Sequence, residues 1–357
     1  MKMQNIPNEE NRILANPKNI RGNQRGVALI MVLWVLMILS VVVLEFSYGM
    51  KTEARITRNF QEEVQLYAMA EGGIQRAVVE LVYKHDARVQ QKRKALKDEG
   101  LAPEQQEWVT DGREYALPFD AGDCAIRITG EGGKVNINSV SEPLLRKIIG
   151  NLGLEGEARD VVVDSILDWR DPDDFYRLNG AENDYYRSLK EPYDCKNGNL
   201  DSIEELLLIR GVTPDLFYGK KPEKTEEGDS PAESAGLKGV FSIYAAGEQI
   251  DLNSAAFPVL RVVLGIPPGA ARQVIKAREE KAFESQQDLL QRVPELAPIL
   301  GEIGRNIVYR SANPYYTVEA KARKKTGDGG RSLQAVLKID SREKEGYKIV
   351  QWVDAAY

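Results

Sequence analysis

An uninterrupted apolar run near the N-terminus is the clearest pattern in the sequence. Residues 27–44 (VALIMVLWVLMILSVVVL) include no charged residue, no proline and no glycine. An α-helix of this length spans about 27 Å, which is close to the hydrocarbon thickness of a bilayer. A helix in the core of a soluble domain normally keeps a polar face, and this run has none. The pattern therefore predicts a membrane-spanning helix.

The flanks of the run predict its orientation. Residues 1–26 carry five Lys or Arg residues and two Glu residues. By the positive-inside rule, this end lies in the cytoplasm and the long C-terminal part lies on the other side of the membrane. A secretory signal would end in a small-residue cleavage site, whereas Ser40 is followed by VVVL. We therefore expect the apolar run to be retained.

Apolar residues keep a helical spacing beyond the membrane segment, which predicts one helix of about 55–70 residues. The recurring positions are Ile56, Phe60, Val64, Tyr67, Ile74, Val78 and Leu81. The Gly72-Gly73 pair is expected to weaken this helix and to favour a bend. The outer half of the helix needs a partner surface. For Ile56, Phe60 and Val64, contact with another protein and packing on a sheet of the same chain are equally compatible interpretations.

Five segments alternate between apolar and polar residues, as expected for strands with one buried face. They lie at 114–119, 124–130, 315–322, 333–340 and 348–353. The long stretch between the second and third segments has a mainly helical pattern. This order predicts an α+β fold, in which a long N-terminal helix packs on an antiparallel sheet that is split by a large inserted all-α domain.

The inserted region contains an internal repeat. The segment NINS at 136–139 precedes EPLLR at 142–146, and DLNS at 251–254 precedes FPVLR at 257–261. Asn or Ser before an apolar helix is a favourable N-cap, and proline is tolerated in the first helical turn. Further helices are expected at 159–167 and 202–209 in the first repeat and at 270–278 and 286–293 in the second. Two small helical bundles of one design are predicted.

The second repeat contains LGIPPGAARQVIKAREEKAFESQQDLLQRV at 264–293. This segment resembles a helix-hairpin-helix unit, as found in DNA receptors of competence systems. Such units grip DNA phosphates with backbone amides of the turn and with nearby Lys or Arg. From Glu248 to Leu300 the sequence has six Lys or Arg and seven Asp or Glu, and the turn at 267–269 (PPG) loses two backbone donors to proline. A DNA-binding unit should show a basic excess. A helical scaffold that binds no nucleic acid is therefore favoured over DNA binding.

Composition argues against several catalytic and metal-binding classes. The chain has 357 residues, a net charge of −6, two cysteines and the single histidine His85. These counts argue against a zinc site and against a Ser-His-Asp triad. The 43% of apolar and 29% of charged residues are typical of folded domains. We expect no catalysis by this chain.

An acidic segment in the first repeat predicts a calcium site. Its carboxylates fall within seventeen residues, in a stretch that also contains Pro, Gly and Asn; they are Asp168, Asp171, Asp173, Asp174, Glu182 and Asp184. Calcium accepts six to eight oxygen ligands in flexible geometry, although the EF-hand spacing is missing here. The alternative is a solvated acidic loop whose charge is offset by Arg170 and Arg177. A glycosidase pair is disfavoured because no second aromatic-lined cluster accompanies the carboxylates.

The two cysteines suit an oxidising compartment. A disulfide between Cys124 and Cys195 would close a loop of about 70 residues, which the entropic model values at about 3–4 kcal/mol. Two reduced, buried thiols are the alternative, because the sequence does not give the distance between them.

These segments together resemble a known family. Arg25-Gly26 followed by VALI is similar to the cleavage junction of type IV pilin-like proteins. With LDWRDPDD at 167–174, GAENDYY at 180–186 and SIEEL at 202–206, the chain resembles the K subunit of bacterial type II secretion systems from about residue 20 to the C-terminus. The resemblance implies a minor pseudopilin: a pilin-like fold with a large inserted α-domain that binds calcium.

The resemblance also implies processing at the N-terminus. Prepilin peptidase would cut between Gly26 and Val27 and methylate the new N-terminus at Val27. Ordinary pilins have a glutamate five positions after the junction, where this chain has Met31. The K subunit likewise lacks this glutamate, which suits a position at the filament tip with no subunit above. The leader is longer than the shortest pilin leaders, and Val27 replaces the commoner phenylalanine.

The expected organisation follows from the patterns and the resemblance. We expect a cytoplasmic leader at 1–26, a transmembrane helix at 27–46, a stem helix with the first strands at 47–133, the inserted helical domain at 134–310 and the last strands at 311–357. The two repeats of the helical domain are expected at about 134–220 and 248–305. The mature chain would cross the inner membrane once, with its C-terminal domain in the periplasm.

The expected function is assembly. The resemblance implies that the chain joins other minor pseudopilins and the major pseudopilin at the inner-membrane secretion platform, and starts a pseudopilus that drives protein export across the outer membrane. A minor pilin of a type IV pilus and a membrane-anchored DNA-binding protein of an uptake system are the alternatives. Loss of secretion, rather than of twitching or transformation, in a deletion strain would separate them.

Overall fold

Helix α1 (Gln24–His85) runs without interruption through 62 residues, within the predicted length. The computed structural model describes residues 24–86, 88–92, 108–219, 236–325 and 329–356, with the backbone alone for 24–26, 355 and 356. Most of the predicted leader lies outside these residues. Two structural units divide inside α1, between Glu62 and Glu63.

In the first unit, α1 exposes the whole apolar run that the sequence places at 27–44. By length and composition, α1 is the one helix in the described part of the chain that could cross a membrane. The apolar side chains after this run are exposed as well: Ile56 is 62% exposed and Phe60 is 65% exposed. Burial inside the protein therefore does not account for the apolar character of this part of the helix.

In the second unit, five strands form one antiparallel sheet in the order β1-β2-β7-β8-β9. The strands are β1 (Asp111–Pro118), β2 (Gly122–Gly130), β7 (Tyr315–Lys324), β8 (Gly330–Ile339) and β9 (Tyr347–Ala356). All five strands predicted from alternation are present, with bounds that differ by a few residues. The N-terminal and C-terminal strand groups meet where β2 pairs with β7, from Gly122 opposite Lys324 to Gly130 opposite Tyr316.

The C-terminal part of α1 packs on this sheet. Its buried positions are Leu66, Met69, Ala70, Ile74, Ala77, Val78 and Leu81, which form one cluster with alternate residues of β2, β7 and β8. The predicted sheet-packing face is therefore confirmed for Ile74, Val78 and Leu81. Val64 stays 50% exposed, so for this residue packing on the sheet is the wrong interpretation.

The glycine pair in α1 allows the helix and the sheet to approach closely. A Cβ atom on Gly73 would lie 2.7 Å from Cys124 Sγ, 3.2 Å from Ile126 Cγ1 and 3.3 Å from Ala320 Cβ. The helix continues through the pair, and the missing side chain leaves room for two strands beneath it.

Two repeated bundles form the helical domain between β2 and β7. The first contains β3 (Val135–Asn136), α2 (Glu142–Asn151), α3 (Gly156–Arg170), α4 (Asn183–Arg187), a 3-10 helix (Ile203–Leu208), α5 (Pro214–Tyr218), α6 (Leu237–Val240) and β4 (Phe241–Ser242). The second contains β5 (Ile250–Asp251), α7 (Phe257–Val262), α8 (Pro268–Glu280), α9 (Gln286–Arg292), α10 (Leu300–Ile303) and β6 (Ile307–Val308). In each bundle a two-residue strand at the start pairs in parallel with one at the end.

Equivalent asparagines occupy the same place in the two bundles. In the first bundle, Asn138 Nδ2 donates to Leu200 O (3.0 Å) and Asn138 Oδ1 accepts from Leu200 N (2.8 Å). In the second, Asn253 Nδ2 donates to Phe283 O (2.9 Å) and Asn253 Oδ1 accepts from Phe283 N (2.8 Å). Each asparagine thus ties the start of its bundle to the segment before a later helix, the 3-10 helix in the first bundle and α9 in the second.

The two cysteines do not pair. Both are free and buried. Cys124 belongs to the cluster between α1 and the sheet, whereas Cys195 belongs to the core of the helical domain. The disulfide considered from the sequence is therefore not formed in this structure, because the two thiols lie in different hydrophobic cores.

Candidate functional site

The acidic segment lies within the first bundle, in a connection that is much shorter at the equivalent place in the second bundle. In the first bundle, residues 171–201 separate the end of α3 from the capping residue Ser202. In the second, residues 281–284 separate the end of α8 from the capping residue Ser285. The segment is thus a long insertion into one of two similar bundles, and it carries all the predicted calcium ligands except Asp168.

Two buried carboxylates on α3 fix the start of this insertion. Asp168 has no exposed surface, and its Oδ2 accepts a hydrogen bond from Arg177 N (3.0 Å). One turn earlier, Asp164 is 4% exposed, and its Oδ2 accepts from Asn179 N (3.2 Å) and Asn179 Nδ2 (3.1 Å). Since both carboxylates hold backbone N–H groups of the insertion, its first ten residues fold back over the end of the helix.

Gly180 closes this turn without a side chain. A Cβ atom at this position would lie 1.8 Å from Asp168 Oδ2 and 3.2 Å from Arg177 N. The close approach of the backbone to the Asp168 carboxylate therefore requires glycine here.

Arg177 links two of the predicted ligands. Its Nη1 lies 2.8 Å from Asp168 Oδ1 and 2.6 Å from Asp171 Oδ2. Burial raises the pKa of Asp168, and the hydrogen bonds from Arg177 only partly offset this effect. Reciprocally, the two carboxylates raise the pKa of Arg177 although its burial acts in the opposite direction.

Several buried oxygen atoms of the insertion are open, which means that they have no hydrogen-bond partner by distance and angle among the described residues. Glu182 is 4% exposed, and no N–H or O–H group of the described residues donates to its carboxylate oxygens; the Cys195 thiol lies beside them. Asp171 Oδ1 and Asn197 Oδ1 are open as well.

Burial raises the pKa of Glu182 to about 7. The neighbouring Cys195 thiol acts in the opposite direction, and the charges of Asp168, Asp171 and Asp174 add to the rise. Unpartnered buried acceptors are costly unless a donor or a cation satisfies them.

Amide side chains complete the polar network. Asp174 Oδ1 accepts from Asn183 Nδ2 (2.7 Å) and Asn197 Nδ2 (2.9 Å), and Asn197 Nδ2 also lies 2.9 Å from Asp173 O. Asn197 has φ 48°, the left-handed conformation that Asn tolerates better than most residues. Asn197 is not among the residues predicted from the sequence, although the Asn197-Gly198 pair is a recognisable turn signal.

The six predicted calcium ligands occupy different environments. Asp168 and Glu182 are buried, Asp171 is half-buried, and the exposed ones are Asp173, Asp174 and Asp184. Asp173 Oδ1 accepts from Phe175 N (2.9 Å), which is a local turn contact. Within the described ranges, no group of three or more His, Cys, Asp or Glu side chains is arranged to hold a metal ion. The chemistry of the open acceptors, carboxylate and amide oxygens alone, nevertheless fits a hard cation such as calcium.

The helix-hairpin-helix interpretation gains no support from the second bundle. Arg278 is 5% exposed and donates to Leu252 O (2.8 Å) and Ala255 O (2.6 Å). Arg292 donates to Lys281 O (2.7 Å) and to Ala277 O. Two of the six basic residues counted for this hairpin therefore act on carbonyl groups of the protein itself.

Comparison with known proteins agrees with this architecture. Residues 129–222 match the family model "Type II secretion system (T2SS), protein K". The type II secretion system protein K of Pseudomonas aeruginosa is 25% identical over 344 residues, with 92% of this chain and 91% of that protein covered. The protein K of Aeromonas hydrophila is 24% identical over 340 residues, with 88% and 92% covered.

A solved structure shares the fold. In the crystal structure of the GspK-GspI-GspJ complex from the enterotoxigenic Escherichia coli type 2 secretion system, one chain superposes with a TM-score of 0.53 at 15% identity, which covers 85% of this chain and 100% of that chain. The fold is thus a pilin-like fold with a helical insert, as predicted. The resemblance predicted from the sequence is confirmed as well: the chain is similar to type II secretion system protein K over about nine-tenths of its length.

Proposed function

We propose that this chain is a minor pseudopilin that forms the tip of a pseudopilus with other minor pseudopilins and initiates its assembly for protein export across the outer membrane. The observation that carries the proposal is α1, which is exposed and apolar over residues 27–44 and then packs on the sheet from Leu66 onward. The apolar part of such a helix can pack side by side with similar helices, while the domain that follows it stays outside the bilayer. The family match and the complex recorded for the solved relative support this role.

The exposed stem residues are the proposed contact surface. Ile56, Phe60 and Val64 are each at least half exposed, although they share the spacing of the buried residues that follow. Large apolar side chains in water favour burial against a partner. We propose that the partners are the other minor pseudopilins, followed by the major pseudopilin, at the inner-membrane secretion platform.

A secretion assay tests the assembly role. In a strain that lacks its own copy of this gene, wild-type chain should restore export of secreted proteins, and Phe60→Asp should restore it poorly and co-purify less of the other minor pseudopilins. The matched control is Gln61→Asp, which adds the same charge at the neighbouring exposed position. Equal export by the two variants would argue against the contact surface. Normal export by the deletion strain would argue against the whole assignment.

N-terminal processing is the second element of the proposal. We propose that prepilin peptidase cuts between Gly26 and Val27 on the cytoplasmic side and methylates Val27, and that Met31 in place of glutamate suits the tip position. The test is the intact mass of the chain produced with and without the peptidase. A loss that matches residues 1–26 plus one methyl group is expected, and an unchanged mass in the presence of active peptidase would contradict it.

Calcium binding by the insertion is the third element. The open oxygens of Glu182, Asp171 and Asn197 are the groups that would hold the ion, with Asp168 and Asp174 beside them. Bound calcium would neutralise carboxylates that otherwise repel one another, so its role would be structural. The almost fully buried Glu182 carboxylate, which has the Cys195 thiol beside it and accepts from no N–H or O–H group of the described residues, is the observation that supports this site.

Calorimetric titration of the full chain in detergent tests the site. Calcium should bind and raise the unfolding temperature, and Glu182→Gln should weaken binding by about tenfold or more, because a charged ligand becomes neutral. Glu191→Gln is the control, since this carboxylate of the same insertion is exposed and is not one of the predicted ligands. A wild-type chain that releases no heat with calcium and gains no thermal stability would refute the proposed site.

A further inference from the structure

The strongest unexplained feature of the insertion is the position of Arg177. Its Nη1 contacts both Asp168 Oδ1 (2.8 Å) and Asp171 Oδ2 (2.6 Å), so a single guanidinium nitrogen joins two carboxylates. Asp168 is completely buried, while the Arg177 side chain is 39% exposed. The Arg177 guanidinium thus extends from the surface to the buried Asp168 carboxylate.

Other basic groups near the insertion are engaged elsewhere. Arg170 donates to Ile137 O (2.7 Å) and Val140 O (2.6 Å). Arg187 pairs with Asp194 (2.7 Å), and Lys196 pairs with Asp201 (2.7 Å) and Glu205 (2.8 Å). Among these groups, Arg177 is the one that hydrogen-bonds to Asp168 and Asp171, while Arg170 attracts the Asp171 charge without a hydrogen bond to it.

The contacts of Asp171 show how a metal ion and Arg177 would compete. Its Oδ2 accepts from Arg177, whereas its Oδ1 is buried and has no partner among the described residues. The nearby Glu182 carboxylate is also open. A cation drawn to these open oxygens would meet the positive charge of Arg177 on the same carboxylate, and two like charges at such short range repel strongly.

We propose that Arg177 is an internal counter-ion of the acidic insertion, which holds Asp168 and Asp171 together in the ion-free protein and is released from them when calcium binds. This inference rests on the calcium site proposed above and adds its regulation. Arg177 lowers the affinity for calcium and keeps the insertion folded without it. The insertion therefore has two folded states. In one, Arg177 neutralises the carboxylates, and in the other a calcium ion does.

The backbone contacts make Arg177 a suitable position for a test. Arg177 N donates to Asp168 Oδ2, and Asn179 donates to Asp164 through its backbone N and its side chain. These hydrogen bonds do not need the guanidinium, so Arg177→Gln removes the charge while the insertion stays anchored. Arg187→Gln removes an equal charge from an exposed position of the same insertion and is the matched control.

The experiment measures calcium affinity by calorimetry, and the unfolding temperature in EGTA and in saturating calcium, on the full chain in detergent. For Arg177→Gln we expect about tenfold tighter calcium binding, a lower unfolding temperature in EGTA and a larger rise with calcium, since a charged hydrogen-bond partner is lost only in the ion-free state. Arg177→Lys should lie between this variant and the wild type, and Arg187→Gln should resemble the wild type.

The outcomes separate the two proposals. If the wild type binds calcium and Arg177→Gln binds it equally or more weakly, Arg177 is not a competing counter-ion, and the calcium site itself stands. If Arg187→Gln tightens binding as much as Arg177→Gln, the effect comes from general charge, and the inference is again overturned. If the wild type binds no calcium, the proposed site fails, and the competition fails with it.

Discussion

Arg170 and Arg278 make equivalent contacts in the two bundles of the helical domain. Arg170 donates to the carbonyl groups of Ile137 (2.7 Å) and Val140 (2.6 Å). Arg278 donates to the carbonyl groups of Leu252 (2.8 Å) and Ala255 (2.6 Å), which occupy the same places in the repeated segment. Each arginine near the C-terminal end of a long helix thus closes the turn that starts its own bundle, and burial lowers the pKa of both guanidinium groups.

Replacement of Arg278 should destabilise the helical domain. Arg278→Ala removes the charge-assisted hydrogen bonds to Leu252 O and Ala255 O and a longer one to Asp111 O, and leaves buried carbonyl groups without donors. We therefore expect a loss of about 3 kcal/mol in the free energy of unfolding. Denaturant unfolding of the full chain in detergent, followed by tryptophan fluorescence, measures this loss. Arg305→Ala is the control, since Arg305 is exposed. Similar small losses in both variants would show that these carbonyl contacts contribute little.

The repeat was predictable because its signals are local. The NINS and DLNS segments, the Pro residues in the helices that follow, and Ser202 and Ser285 are readable along the chain. Asn138, Asn253 and the two serines each accept a hydrogen bond from a backbone N–H group within their own bundle. The strands were predictable for the same reason, since alternation reports one buried face. The Arg170 and Arg278 contacts were not, because an arginine at a helix end is more often a solvated side chain than a buried donor.

Other features depend on distances that the sequence does not contain. The periodic spacing from Ile56 to Leu81 is one pattern, yet burial against the sheet begins at Leu66, where strands lie beneath the helix. Likewise, Cys124 and Cys195 enter two separate cores. In the acidic insertion, the carboxylates were predictable from the sequence. The hydrogen bonds from Arg177 to Asp168 and Asp171 were not, and neither was the unpartnered Oδ1 of Asn197.

A methyl group at Gly73 should separate α1 from the sheet. The added Cβ would lie 2.7 Å from Cys124 Sγ, so the helix or the strands must shift. Overpacking of this kind costs about 1–3 kcal/mol, which exceeds the gain of about 1 kcal/mol that alanine brings to a helix. We therefore expect Gly73→Ala to lower the unfolding temperature of the sheet domain.

Gly49 offers a matched control on the same helix. A Cβ atom there meets nothing within 4 Å, so Gly49→Ala should be neutral or slightly stabilising. Thermal unfolding of both variants, monitored by circular dichroism, gives the comparison. An unchanged or higher unfolding temperature for Gly73→Ala would mean that the helix–sheet packing adapts without cost.

A side chain at Gly180 should abolish the calcium response. The Cβ of Gly180→Ala would overlap Asp168 Oδ2 at 1.8 Å, so the backbone must withdraw from the carboxylate. We expect a loss of about 1–3 kcal/mol in ion-free stability and no thermal stabilisation by calcium, because the ligands on either side of the turn no longer converge. Gly198→Ala is the control, with its nearest atom at 3.8 Å. A normal calcium response in Gly180→Ala would contradict the close approach seen here.

Glu131 should make stability depend on pH at the boundary of sheet and helical domain. The carboxylate is 2% exposed, accepts from Thr317 Oγ1 (2.6 Å) and lies 3.0 Å from Lys134 Nζ. Burial alone would raise the pKa of Glu131, but Lys134 and the hydroxyl groups of Ser242 and Thr317 outweigh this and hold the pKa below its ordinary value of 4.5. A lowered pKa in the folded state stabilises the protein above pH 4.5, and this contribution disappears as the pH falls through the lower, folded-state value.

The difference between wild type and Glu131→Gln isolates this contribution from other titrating groups. In EGTA near neutral pH, the free energy of unfolding of the variant should be lower by about 1–3 kcal/mol, because a neutral amide cannot form an ion pair with Lys134. As the pH is lowered from about 5 to about 3, the wild type should lose stability faster, so that the gap narrows. Glu295→Gln, at an exposed position, should follow the wild type throughout. A gap that stays constant or widens on acidification would mean that the Glu131 carboxylate does not titrate below its unfolded value, and that Lys134 and the two hydroxyl groups do not offset its burial.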